Sequence, residues 1–151
     1  MDFNDSPEEA EFRADARKWI KENAPDVKAA KFVRDDEGVS LAKEWQKRKY
    51  DGGWACLHWP KEYGGRDATP IERVIWSQEE GDLSQLSGVF TIGHGMCGPT
   101  IIAHGTDEQK DRYLNKMASG EEIWCQLFSE PGSGSDLAGL RTKAVKDGDE
   151  W

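Results

Sequence analysis

The chain has 151 residues, with 29 acidic and 20 basic side chains, a formal charge of −9 at pH 7 and 36% hydrophobic residues. This composition supports one ordinary core and at most part of a second domain, and the acidic balance excludes a nucleic-acid surface, because phosphate backbones repel an acidic protein. Cys56, Cys97 and Cys125 are odd in number and share no close spacing, which fits neither a disulfide framework nor a zinc site and points to a reducing compartment.

No apolar run has the length of a membrane span. The N-terminal stretch MDFNDSPEEAEF is acidic where a transit peptide is Arg-rich, and it lacks the basic region of a secretory signal. A soluble, cytoplasmic protein is the expectation.

Ser6-Pro7-Glu8-Glu9 opens the first helix: the Ser6 hydroxyl accepts from the amide three residues on, Pro7 loses no needed donor, and Glu9 completes a capping box. Phe12, Ala16, Trp19 and Ile20 then mark one apolar face, with the helix stopping near Asn23, before Pro25. Ser40 is expected to open a second helix that carries Leu41, Trp45 and Arg48 on one side and ends at Gly52-Gly53. Lys43, Lys47 and Lys49 are expected to face water. The aromatic stretch WACLHWPKEYGG, broken by Pro60 and Gly64-Gly65, suits an ordered loop packed against the helices.

Thr69-Pro70-Ile71-Glu72 repeats the capping logic and predicts a third helix with a stripe of Ile71, Val74, Ile75 and Gln78. From Gly88 to His104 the chain is small and apolar, and Gly105 is a candidate left-handed terminator. Gly93, Gly95 and Gly98 weaken a helix here by roughly 1 kcal/mol each relative to alanine, so they require a packing or ligand reason. Thr106-Asp107-Glu108-Gln109 forms another capping box, with Tyr113, Leu114 and Met117 as its buried face and Gly120 as its end.

The character changes at Glu122. Ile123–Phe128 is short and rich in aromatic and branched residues, which predicts a buried strand running into Ser129-Glu130-Pro131-Gly132-Ser133-Gly134-Ser135-Asp136. Thr142–Lys146 predicts a second strand before the Asp147-Gly148 hairpin signal. The fold class is therefore mainly α: an N-terminal helical bundle over 1–120, followed over 121–151 by the start of an antiparallel β domain that is expected to be incomplete.

The glycine run is neither a Walker A loop, which ends in Gly-Lys-Ser/Thr, nor a Rossmann fingerprint, since Leu137 stands where the third glycine belongs. Two readings stay open on chemistry alone. Gly132, Ser133, Gly134 and Ser135 can turn their amides and hydroxyls onto an oxyanion as a backbone nest, or they form a plain turn that tolerates positive φ.

The stretch WCQLFSEPGSGSDLAGLRTKA closely resembles the flavin-contacting signature of the acyl-CoA dehydrogenase family. HGMCGPTIIAHGTDEQKDRYL before it and GWACLHWPKEYGG earlier resemble two further family blocks in the same order. The resemblance implies an FAD-dependent α,β-dehydrogenation of an acyl-CoA thioester, with electron-transfer flavoprotein as acceptor and a homo- or hetero-oligomeric complete enzyme. It places Ser129 near flavin N5, and Gln126 and Phe128 at the isoalloxazine edge. Gly134 and Ser135 fall near the FAD pyrophosphate, with Ser135 also close to the pantetheine arm of the substrate. Phe90, His94 and Met96 fall along the acyl tunnel, although Phe and Met at helical spacing also fit plain core.

No catalytic residue is assigned. The family's glutamate base usually comes from a C-terminal part, and Glu130, inside the signature, fits a structural ion pair or an acceptor of backbone amides. His58, His94 and His104 lack a metal-ligand pattern, so no metal is expected. The leading expectation is an N-terminal fragment of such a dehydrogenase, inactive alone. The alternatives are a non-catalytic helical module or partner subunit, and a segment of a related acyl-CoA oxidase.

Overall fold

A computed structural model describes residues 4–26 and 35–150. Its helices are α1 (Pro7–Asn23), α2 (Asp36–Asp51), α3 (Pro70–Glu80), α4 (Gly98–His104) and α5 (Asp107–Ser119). A 3-10 segment spans Gly81–Phe90 and a π-helical turn spans Gly93–Cys97, just before α4. The described residues thus form a mainly helical fold, and among them no single helix is long and apolar enough to cross a membrane.

The helix starts follow from side-chain chemistry. At α1 the Ser6 amide donates to Glu9 at 2.7 Å and the Glu9 amide to the Ser6 hydroxyl at 3.2 Å, and Thr69 with Glu72 and Thr106 with Gln109 make the same reciprocal box at α3 and α5. Helix α2 begins at Asp36, ahead of the expected Ser40, because Asp35 accepts from the Gly38 amide at 2.8 Å and caps the helix first.

The main core joins α1, α2, α3 and the 3-10 segment around Phe12, Ile20, Trp45, Trp54, Trp76 and Leu86. Trp54 stacks on Trp76 with centroids 4.8 Å apart, and the Arg66 guanidinium lies 3.9 Å from the Trp54 ring centroid. The loop after α2 is therefore part of the core, as its aromatic content implies. A second cluster packs Trp59 against Leu114, Met117 and Ala118.

Two expectations about faces are corrected. Lys49 is buried, with 6% of its side chain exposed, because Glu80 accepts from its ammonium at 2.9 Å and Ser87 at 2.7 Å. On α3, Ile71 and Val74 are 47% and 50% exposed, while Ile75, Trp76 and Glu80 are buried. Glu80 accepts from the indoles of Trp45 at 3.0 Å and Trp76 at 3.1 Å, which turns that face of α3 inward.

The predicted helix from Gly88 to His104 is three segments of different pitch. In the π turn, the Gly98 amide donates to Gly93 O, five residues back. Gly98 has a packing reason: a Cβ there would lie 2.0 Å from Trp59 Cζ2. Gly105 is extended, with φ −72°, and does not supply a left-handed terminator.

Residues 121–150 contain no strand ladder. The expected strands at 123–128 and 142–146 run without hydrogen-bonded strand partners, and the bridges present are isolated, joining Glu130 to Ser133 and Asp147 to Glu150. A strand exists only in a pair, and among the described residues neither segment has one.

Candidate functional site

Helix α5 ends at Gly120, whose left-handed φ of 79° turns the chain back across the bundle. The segment that follows is anchored at its start: the Glu122 amide donates to Lys116 O at 3.2 Å, the Lys43 ammonium to Glu121 O at 2.9 Å, and the Trp124 indole to Glu122 Oε2 at 3.1 Å. Trp124 also meets Tyr113 of α5 edge to face at 5.1 Å.

Between this segment and the π turn lies an apolar groove of about 360 Å³. One wall is Ile92, Met96, Cys97, Thr100 and Ile101; the other is Trp124, Cys125, Gln126, Leu127 and Phe128. From Ile123 to Ser129 no backbone N–H or C=O is bonded to another described residue. Leu127 and Phe128 are 88% and 62% exposed. A wall of this kind presents apolar side chains together with a row of free peptide donors and acceptors. It suits a flat, apolar ligand with polar edges.

The acyl-tunnel candidates separate. Met96 lines the groove, whereas Phe90 is buried and stacks on the His94 ring at 5.2 Å, and neither Phe90 nor His94 is a lining residue. His94 Nε2 lies 2.8 Å from Met117 O, and its carbonyl accepts from the Trp59 indole at 3.1 Å. Burial holds the imidazole down at a pKa of about 4, so it is neutral near pH 7. Among the cysteines, Cys97 and Cys125 face the groove, while the Cys56 thiol is pushed up to about 12 by burial and is unreactive.

The glycine loop follows directly. Glu130 and Ser133 exchange backbone hydrogen bonds at 2.8 and 3.1 Å, and the buried Ser133 hydroxyl donates to Asp136 O. The Glu130 carboxylate accepts from the Arg141 amide at 3.0 and 3.1 Å, from the Thr142 amide at 2.6 Å and from the Thr142 hydroxyl. The Thr142 hydroxyl and these amides hold its carboxyl below the usual carboxylate range.

Gly132 and Gly134 are not required by local backbone geometry or by packing. Neither has a positive φ, which removes the left-handed turn as their reason, and a Cβ at either would meet nothing within 4 Å. The amides of Gly134 and Ser135 and the Ser135 hydroxyl have no partner among the described residues. The loop therefore leaves free donors beside open space that a side chain at Gly134 would occupy.

Residues 6–121 match the family model of the acyl-CoA dehydrogenase N-terminal domain. The chain belongs to the acyl-CoA dehydrogenase family. It is 39% identical to the acyl-CoA dehydrogenase IpdE1 of Mycobacterium tuberculosis, covering 93% of this chain and 38% of that protein. The mitochondrial isovaleryl-CoA dehydrogenase of Pongo abelii is 31% identical, with 97% and 34% covered. Among solved structures, the ChsE4-ChsE5 complex of M. tuberculosis matches with a TM-score of 0.73 and 34% identity over 99% of this chain and 37% of that one. The chain thus spans little more than a third of the length of these relatives.

Trp124, Cys125, Ile92 and Ile101 were not legible as groove residues, because the groove forms between segments distant in sequence. Ser133 was not legible either, because its hydroxyl donates to the Asp136 carbonyl and is buried only once the loop is folded.

Proposed function

We propose that this chain supplies the helical domain and the first flavin-contacting loop of an FAD-dependent acyl-CoA dehydrogenase. The observation that carries this reading is the pair Gly132 and Gly134, glycines that neither φ nor packing requires, next to free amides at Gly134 and Ser135. An FAD fits the residues present. Gln126, Phe128 and Ser129 offer an apolar, donor-bearing edge to the isoalloxazine, and Gly134 and Ser135 offer amides and a hydroxyl to the diphosphate. When bound, FAD supplies the hydride acceptor for α,β-dehydrogenation.

The chain's own residues bind and orient. Met96, with Ile92 and Ile101, gives the acyl chain an apolar wall that excludes water, and Phe90 and His94 fix the π turn beneath it. Ser135 serves both the diphosphate and the pantetheine arm. The groove lining holds no carboxylate, so the base that removes the α proton belongs elsewhere in the assembled enzyme. Glu130 is already engaged by Arg141 and Thr142.

Assembly with other chains follows from the exposed Leu127 and Phe128, which need a cover, and from relatives whose structures are named as two-component complexes. Electron-transfer flavoprotein as acceptor and a cytoplasmic location complete the reading. The test is to isolate the protein from its host with whatever chains accompany it and to record visible flavin absorbance. Bound flavin that bleaches on adding acyl-CoA thioesters is the expected result. A preparation that stays colourless and takes up no added FAD overturns it.

A further inference from the structure

The loop from Glu130 to Thr142 is held shut by one side chain. Two backbone amides and a hydroxyl, all from Arg141 and Thr142, converge on the two oxygens of Glu130 across eleven and twelve residues. A carboxylate suits this task because it only accepts, with room for all the donors presented to it; an amide in its place turns an NH₂ toward another donor.

The internal bonds of the loop are unevenly divided. The Glu130–Ser133 bridge, the Ser133 hydroxyl on Asp136 O, and the bonds from Gly139 to Asp136 and Leu140 to Leu137 use up the groups that frame the loop. None of them uses the amides of Gly134 or Ser135. Closing a loop of this length costs chain entropy, and a ligand meeting an open loop must supply that ordering from its own binding.

We propose that Glu130 is a positioning residue: by tying Arg141 and Thr142 to the start of the loop, it holds the free amides of Gly134 and Ser135 in place for a diphosphate. This rests on the FAD reading given above for the identity of the ligand, but the clamp itself has a readout that does not need flavin.

The test uses the protein with its accompanying chains, as wild type and as Glu130→Gln, Glu130→Asp, Thr142→Val and Ser135→Ala. Hydrogen exchange at the Arg141 and Thr142 amides, measured without added flavin, is expected to speed up several-fold in Glu130→Gln. Thr142→Val should show a smaller effect, and Glu130→Asp, which keeps the charge on a shorter stem, should recover part of the protection. FAD titrations are expected to weaken several-fold in Glu130→Gln while the helical melting transition stays in place.

The Glu130→Gln and Ser135→Ala effects on FAD affinity should be non-additive, because one acts through the other. Unchanged amide exchange in Glu130→Gln overturns the clamp, and faster exchange with unaltered FAD affinity overturns its positioning role. Wild-type protein that binds no FAD overturns the cofactor reading, and amide exchange then decides the clamp alone.

Discussion

His94 Nε2 donates to Met117 O across 2.8 Å, tying the π turn, whose Met96 and Cys97 line the groove, to the last turn of α5. A carbonyl only accepts, so Nε2 carries a proton. Burial lowers the folded pKa from 6.5 to about 4. Above pH 6.5 both folded and unfolded chains carry a neutral ring, and titration of His94 costs nothing. As pH falls from 6.5 toward 4, the unfolded chain takes up a proton that the folded chain refuses, so stability drops by up to roughly 3 kcal/mol. His58 is exposed and its pKa is lowered in the same direction, so comparison with His94→Gln isolates the slope. Urea unfolding at pH 7 and pH 4.5 should show a steeper loss in wild type; parallel losses would refute the assignment.

Glu80 accepts from Lys49, Trp45, Trp76 and Ser87 at one buried point. Removing the cation strands a carboxylate away from water, so Lys49→Met is expected to cost about 3–5 kcal/mol in chemical denaturation. The double variant Lys49→Met with Glu80→Gln should cost less than the sum of the two single changes, since no charge is then left unpaired. Additive losses would show that the pair is not coupled.

This network also shows what sequence reading reaches. The capping boxes at Ser6, Thr69 and Thr106 were legible because each is closed by a side chain three residues on, a relationship written locally. The burial of Lys49 was not, because its partner Glu80 is 31 residues away, and a lysine beside other charges looks solvated until that partner is placed. The same holds for α3, where Ile71 and Val74 give way to Trp76 and Glu80. The helical domain and the loop at 130–136 were readable from patterning and resemblance. The groove was not, since its two walls meet only in three dimensions. The early start of α2 is a local signal, since Asp35 and Ser40 are both competent caps and the first of them prevails.

Gly98 faces the buried indole of Trp59, and a Cβ added to its backbone would stand only 2.0 Å from Cζ2. Gly98→Ala is therefore expected to destabilise the fold by about 1–3 kcal/mol through overpacking, despite alanine's better helix propensity. Adding Trp59→Phe should recover part of that loss by shortening the ring. Thermal or urea unfolding decides; a stabilised Gly98→Ala would show that the indole is free to move aside.

Gly134 is the converse case. Its φ is not left-handed and a Cβ would touch nothing, so Gly134→Val should leave helical melting within about 0.5 kcal/mol of wild type. If the free amides at Gly134 and Ser135 hold the FAD diphosphate, the same valine fills the space an oxyanion needs, and flavin occupancy should fall sharply. Ser135→Ala removes a hydroxyl but keeps the amides, so its loss of FAD affinity should be smaller, about 1–2 kcal/mol, the range for one hydrogen bond to a charged group. Parallel melting curves and FAD titrations on the protein with its accompanying chains separate the possibilities. Unchanged melting with lost flavin identifies a ligand cradle; normal flavin binding in Gly134→Val shows that the loop is only a turn.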